Sequence, residues 1–151
     1  MSNNFLKFTA LSFLLISVLF TSCKKEEDAE KQITEFIQKN NITATKHPSG
    51  LYYQIIKAGT GNSTYPPGTR ITIKYVGKLL NGTVIDDGNN VENTFQLAQL
   101  IEGWKIGIPL IQKGGEIRLI IPSELAYGNQ ATGPVPANSV LDFTIQLINV
   151  Q

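Results

Sequence analysis

Side chains that commonly do chemistry are scarce in this chain. It holds one histidine, His47, and one cysteine, Cys23. A single thiol cannot close an intramolecular disulfide, and one histidine with one cysteine cannot form a Cys/His metal cluster. His47 lies in the turn cluster His47-Pro48-Ser49-Gly50 and is expected to be exposed. No acid or nucleophile stands beside it to make it a catalytic base. The distinctive stretch is apolar instead. Leu100-Ile101-Glu102-Gly103 runs directly into Trp104, the only tryptophan. A lone tryptophan is commonly plain core, where its large apolar area is hidden. The other reading makes Trp104 the floor of an apolar pocket with strands for walls. Such a pocket works by non-covalent binding. No nucleophile, metal or cofactor is needed, and the chain suggests none.

The elements that would build those walls follow from periodicity. Leu51–Ile56 is rich in aromatic and β-branched residues and reads as a strand. Arg70–Leu80 reads as a long strand, with Ile71, Ile73 and Tyr75 on one face and Arg70, Thr72 and Lys74 on the other. Asn81-Gly82 follows at once, a strong hairpin signal because both residues tolerate positive φ, and Thr83–Asp86 returns. Asp87–Asn93 is polar and reads as a loop, Thr94–Leu97 as a short strand. Ile101–Leu110 reads as a brief helix kept short by Gly107 and Pro109. Glu116–Pro122 and Val140–Val150 are further strands, presenting Ile117, Leu119, Ile121 and Leu141, Phe143, Ile145, Leu147. Ahead of all these, Ala29–Asn40 has Ile33, Phe36 and Ile37 at helical spacing. That helix is expected to pack on the domain, with pairing of two chains as the other possibility. The sum is an α+β domain: antiparallel strands around one short helix.

The length of 151 residues suits one domain with a tail. Residues 1–22 read as an address. Lys7 supplies a positive charge, and Phe8–Phe20 is mostly apolar but short for a bilayer span. The end, Phe20-Thr21-Ser22-Cys23, resembles a lipobox. That resemblance implies that Cys23 becomes the mature N-terminus and carries a diacylglyceryl group, anchoring the protein to the bacterial envelope. The outer membrane is expected, with the periplasmic and surface faces both open. Residues 23–49 form the lipidated tether and short helix. Lys24-Lys25-Glu26-Glu27-Asp28 is either a plain linker or, with Cys23, similar to an export tag of surface lipoproteins. Without Lys7 the basic residues fall from 13 to 12, equal to the 12 acidic ones. A balanced chain with no basic block gives no basis for nucleic-acid binding.

From Gly50 to Gln151 the chain resembles the FKBP-type peptidyl-prolyl cis/trans isomerases. The pieces that carry the likeness are Gly50–Tyr53, Ile73–Leu79, Asn81–Asp86, Leu100–Trp104, Ile121–Gly128 and Val135–Ser139, in the family's order and approximate spacing. The resemblance implies an antiparallel β half-barrel wrapped around one short α-helix. It implies proline-containing polypeptides as substrates, macrolides as inhibitors, no cofactor and a monomer. By position, Asp86 and Tyr127 take the catalytic places, and Tyr75, Ile85, Leu100, Ile101, Trp104, Val135 and Phe143 line the substrate pocket. The Ile101 N–H and the Tyr127 hydroxyl are expected to bond a substrate carbonyl, and Asp86 to bond Tyr75. Ile85 stands where phenylalanine is usual, and Asp87–Asn93 is short and lacks an aromatic. The loop before Val135 is trimmed, and Ala137 replaces a proline. A more open or less aromatic pocket is therefore expected. The implied function is isomerisation of X–Pro bonds during folding of exported proteins; the alternative is a binding or chaperone lipoprotein of the same fold with little or no catalysis.

Overall fold

The computed structural model describes residues 27–151. The leader, Cys23 and the residues up to 26 lie outside the described residues. Seven strands form one antiparallel sheet: β1 (Thr45–Lys46), β2 (Tyr52–Lys57), β3 (Arg70–Leu79), β4 (Val84–Asp86), β5 (Asn93–Gln96), β6 (Glu116–Ile121) and β7 (Leu141–Val150). Their order is β1-β2-β6-β7-β3-β4, with β5 also paired to β3. The sheet stays open and is not a closed barrel.

β3 and β7 are its spine, paired from Ile71 opposite Val150 to Leu79 opposite Leu141. Period-2 alternation puts Ile71, Ile73 and Tyr75 of β3, Ile117, Leu119 and Ile121 of β6, and Leu141, Phe143, Ile145 and Leu147 of β7 into one buried core. The short helix α2 (Glu102–Gly107) packs on that face. Gly103 and Gly107, one turn apart, make the approach possible. A Cβ on Gly103 would stand 2.5 Å from Ile121 Cγ2, and one on Gly107 2.5 Å from Leu119 Cδ2. Glycine is a poor helix former, so these two trade local helix propensity for close helix–sheet packing. The helix expected over Ile101–Leu110 is α-helical only to Gly107 and then tightens into a 3₁₀ turn, Ile108–Leu110. Pro109 has no N–H to continue the α ladder.

The hairpin after β3 also differs in detail. Gly82 alone takes positive φ, at 90°. Its N–H donates to Leu79 O (2.9 Å), and the Leu79 N–H donates to Thr83 O (2.9 Å). Leu80 and Asn81 thus form the turn, and the loop is three residues long with glycine at its left-handed position.

The helix α1 runs over residues 27–39 and packs against its own chain on the other side of the sheet. Ala29 and Ile33 are buried with Ile42, Tyr52, Ile120 and Val140, and Phe36 and Ile37 pack against them. Ile120 lies between the inward Leu119 and Ile121, so alternation turns it to this second face. Two positions earlier, Arg118 donates to Asp142 through Nε (2.8 Å) and Nη2 (2.7 Å) and lies 5.7 Å from the Phe36 ring centroid. β1 adds to β2, and Glu30 accepts from both Lys46 and the Tyr52 hydroxyl. His47 is half-buried, not exposed, because Ser49 folds back on it. Nδ1 lies 2.9 Å from Ser49 Oγ and accepts from the Ser49 N–H at 3.2 Å.

Candidate functional site

The inner face of the sheet and α2 bring three rings together. Trp104 meets Tyr75 edge-on at 5.1 Å between centroids and Phe143 edge-on at 5.1 Å, while Tyr75 and Phe143 lie 6.4 Å apart. Each edge-to-face contact contributes about 0.5–1.5 kcal/mol beyond its buried area. All three are deeply buried, at 9% (Tyr75), 5% (Trp104) and 4% (Phe143) exposure. Val135 is buried in the same cluster, and Ile85, Leu100 and Ile101 are half-buried against it. The structure therefore gathers the expected lining residues on one side of the sheet. The Trp104 indole N–H is buried and has no acceptor among the described residues. Leaving such a donor unmade costs about 1–3 kcal/mol.

The polar groups stand above this floor. The Tyr75 hydroxyl donates to Asp86 Oδ2 at 2.9 Å, and the Gly88 N–H donates to Asp86 Oδ1 at 3.0 Å. Asp86 is exposed, at the water side of the floor. Burial first, then the Asp86 bond, raises the Tyr75 hydroxyl well above the usual tyrosine range. Tyr127 is exposed at 37%, and its hydroxyl has no hydrogen-bond partner among the described residues. Its pKa is raised too, by partial burial first and then by the charge of Asp86. Asp86, Tyr75 and Tyr127 thus converge within electrostatic reach. Ile101 caps α2 with extended ψ, and among the described residues its N–H has no acceptor. No group of three or more His, Cys, Asp or Glu among the described residues could hold a metal.

Residues 61–148 match the model of a family described as FKBP-type peptidyl-prolyl cis-trans isomerase. The chain belongs to that family. It is 39% identical over 130 residues to a probable FKBP-type peptidyl-prolyl cis-trans isomerase of Haemophilus influenzae, covering 83% of this chain and 52% of that protein. It is 40% identical over 133 residues to the outer membrane protein MIP of Legionella longbeachae, covering 85% of this chain and 57% of that one. The chain spans about half the length of the curated relatives it matches. Among solved structures, FkpA from Escherichia coli superposes with a TM-score of 0.70 at 29% identity, covering 100% of this chain and 74% of that one. AtFKBP13 superposes with a TM-score of 0.64 at 36% identity, covering 70% and 97%.

Within this FKBP framework, four residues matter that the sequence did not mark as site residues. Phe95 lies edge-on to Tyr75 at 6.1 Å and pairs opposite Ile71, so it adds a fourth ring to the cluster. The alternation of Phe95 with Leu97, set beside the apolar face of β3, was the available signal. Gly77 lies opposite Phe143, and a Cβ there would stand 2.2 Å from Phe143 Cε1. Its signal was a glycine inside an otherwise continuous strand. Gly88 has φ of +58°, and a Cβ there would stand 2.9 Å from Tyr75 Cε1. The short loop rests directly on the Tyr75 ring. Asn93 holds it there, donating through Nδ2 to Gly88 O (2.9 Å) and Val91 O (3.1 Å).

Proposed function

We propose that the chain is a lipid-anchored peptidyl-prolyl cis/trans isomerase that assists the folding of exported proteins. One observation carries the catalytic part: a buried aromatic floor with two unengaged donors, the Tyr127 hydroxyl and the Ile101 N–H, and a carboxylate bound to the floor's own tyrosine. Family membership supports the same activity.

The chemistry asks for no covalent step. Amide resonance sets a rotation barrier of ~18–20 kcal/mol, and X–Pro bonds are the peptide bonds with both isomers well populated. The planar amide separates charge between oxygen and nitrogen, and twisting removes much of that separation. A water-poor apolar site therefore favours the twisted form over the planar one, and catalysis follows from that difference. Each ~1.4 kcal/mol of differential stabilisation gives about tenfold in rate. In this scheme Trp104, Phe143 and Val135 take the proline ring, with Ile85, Leu100 and Ile101 at its sides. The Ile101 N–H and the Tyr127 hydroxyl fix the carbonyls on either side of the twisting bond. Asp86 is already engaged by Tyr75 and Gly88, so it orients and polarises and transfers no proton.

The location follows from Cys23. A lipidated mature N-terminus divides the chain into a leader (1–22), a tether with the short helix (23–49) and the isomerase domain (50–151). Each buried acyl methylene contributes about 0.8 kcal/mol to anchoring. The Legionella longbeachae relative, by its name an outer membrane protein, supports an envelope location. A purely binding protein of the same fold is less favoured, because Phe95 at Tyr75 restores part of the aromatic wall that Ile85 and Asp87–Asn93 lack. The deciding assay uses the full chain in detergent on a short X–Pro peptide. Acceleration that a macrolide of the FKBP class blocks is the expected result. No acceleration, with unfolded protein still bound, would leave the binding protein. Mass spectrometry of the chain from bacterial membranes should find acyl groups on Cys23, and Cys23→Ser should abolish membrane attachment.

A further inference from the structure

Asp86 stands exposed at the rim, yet both of its oxygens are held. A carboxylate turns easily about its last torsion. The Tyr75 hydroxyl alone would fix Oδ2 and leave the plane of the group free. The Gly88 N–H on Oδ1, at 3.0 Å, supplies a second point and sets that plane. How well Asp86 is aimed therefore depends on what holds Gly88.

Gly88 opens a turn that does not hold itself easily. Gly88, Asn89 and Asn90 take φ of 58°, 56° and 56°, three left-handed residues in a row. Such runs are unfavourable for residues with a Cβ, asparagine less so than most, and they persist only where their surroundings fix them. Asp87 ties the middle of the turn. Its Oδ1 accepts from the Asn89 N–H and its backbone O from the Asn90 N–H, both at 2.9 Å. The Gly88 carbonyl is held from elsewhere. The Val91 N–H reaches it only at 3.4 Å, long for such a bond. Asn93 Nδ2 reaches it at 2.9 Å, and reaches the Val91 carbonyl at 3.1 Å. Two carbonyl oxygens face that one nitrogen, so the amide must turn its NH₂ toward them. Asn93 is itself fixed to the sheet, opposite Ile73 on β3, and Tyr75 is two residues further along β3 on the same face. Tyr75 and Asn93 thus hold Asp86 from paired strands, the first directly and the second through Gly88.

We propose that Asn93 is a positioning residue for the isomerase reaction: through Gly88 it aims the Asp86 carboxylate at the bound peptide group. The inference rests on the isomerase function proposed above. It gives the short Asp87–Asn93 loop a task of its own in place of the aromatic wall it lacks.

The test is a double-mutant cycle on the full chain with a short X–Pro peptide. Asn93→Ala should lower kcat/KM roughly three- to tenfold, the loss of one ordinary hydrogen bond. Asn93→Asp keeps the size but turns acceptors toward both carbonyls, and should lose at least as much. In an Asp86→Ala background, Asn93→Ala should have no further effect, because the group it aims is gone. Amide exchange by NMR gives a readout besides activity. The Gly88 N–H should exchange roughly tenfold faster in Asn93→Ala, while the Tyr75 amide on β3 keeps its protection. Unchanged kcat/KM in Asn93→Ala, or an equal loss with and without Asp86, would overturn the proposal. If the natural chain does not accelerate isomerisation, the isomerase function fails, and the link from Asn93 through Gly88 to Asp86 is judged by exchange alone. Faster exchange at Gly88 would support the link, and unchanged exchange would overturn it.

Discussion

The floor of the site and its rim are built from different materials. Tyr75, Trp104 and Phe143 come from β3, α2 and β7 and are 4–9% exposed. Asp86, Tyr127 and most of the Asp87–Asn93 loop come from a strand end and turns and are far more exposed than the floor. The floor is also the hydrophobic core, so the proposed proline binding and folding stability draw on the same contacts. The rim carries little of the core and can change with small effect on stability. Changes at the floor should therefore move stability and activity together, whereas changes at the rim should separate them.

The largest effect is expected at the floor. Trp104→Ala should cost about 3–5 kcal/mol in urea unfolding and take activity with it. A well-folded, fully active variant would mean that the floor is not the site. Gly77→Ala is a smaller change at the same place. Its Cβ overlaps the Phe143 ring, so about 1–3 kcal/mol should be lost, with a raised KM. At the junction of floor and rim, Asp86→Ala strips the Tyr75 hydroxyl of its acceptor. About 1 kcal/mol should be lost, the low end of the range because water reaches the position. At the rim, Tyr127→Phe should change stability by less than about 0.5 kcal/mol. It should still lower kcat/KM roughly two- to tenfold, the loss of one ordinary hydrogen bond. The smallest effect is in pH. Burial, followed by Asp86 through its hydrogen bond to Tyr75 and through its charge on Tyr127, raises the pKa of both hydroxyls. A raised folded-state value gives stabilisation that is fully present below the unfolded tyrosine value of ~10. It is lost as pH climbs through the raised values. The tyrosine contribution to the urea midpoint should thus be flat below that point and fall above it. A tyrosine-linked loss near neutral pH would contradict the environment described for these hydroxyls.

The same division explains what could be read from the sequence. Ile71, Ile73 and Tyr75 on β3 and Leu141, Phe143, Ile145 and Leu147 on β7 were legible because period-2 alternation is set by local geometry and burial. Ile33, Phe36 and Ile37 were legible for the equivalent reason on α1. The face of the sheet that α1 covers was not. Ile120 looks like an ordinary member of a strand until tertiary packing gives its outward side a partner. The hairpin was located correctly at Asn81-Gly82, but its length was not, since Leu79 and Thr83 close a longer turn. At the site, Trp104 stood out as the single tryptophan and the family resemblance marked Asp86 and Tyr127, whereas Phe95 and Gly77 act through neighbours far away in sequence. Phe95 joins the cluster only because β5 pairs with β3, and Gly77 matters only because Phe143 lies across from it. The short Asp87–Asn93 loop is a similar case. Its asparagine and glycine content announces turns, but not that Gly88 would come to rest on the Tyr75 ring.

The most direct test of the account is the rate of cis/trans isomerisation of a short X–Pro peptide by the full chain beside its Tyr127→Phe variant. Clear acceleration by the natural chain is expected, with a roughly two- to tenfold lower kcat/KM for a variant of unchanged stability. Absence of acceleration, or a variant as fast as the natural chain, would contradict it.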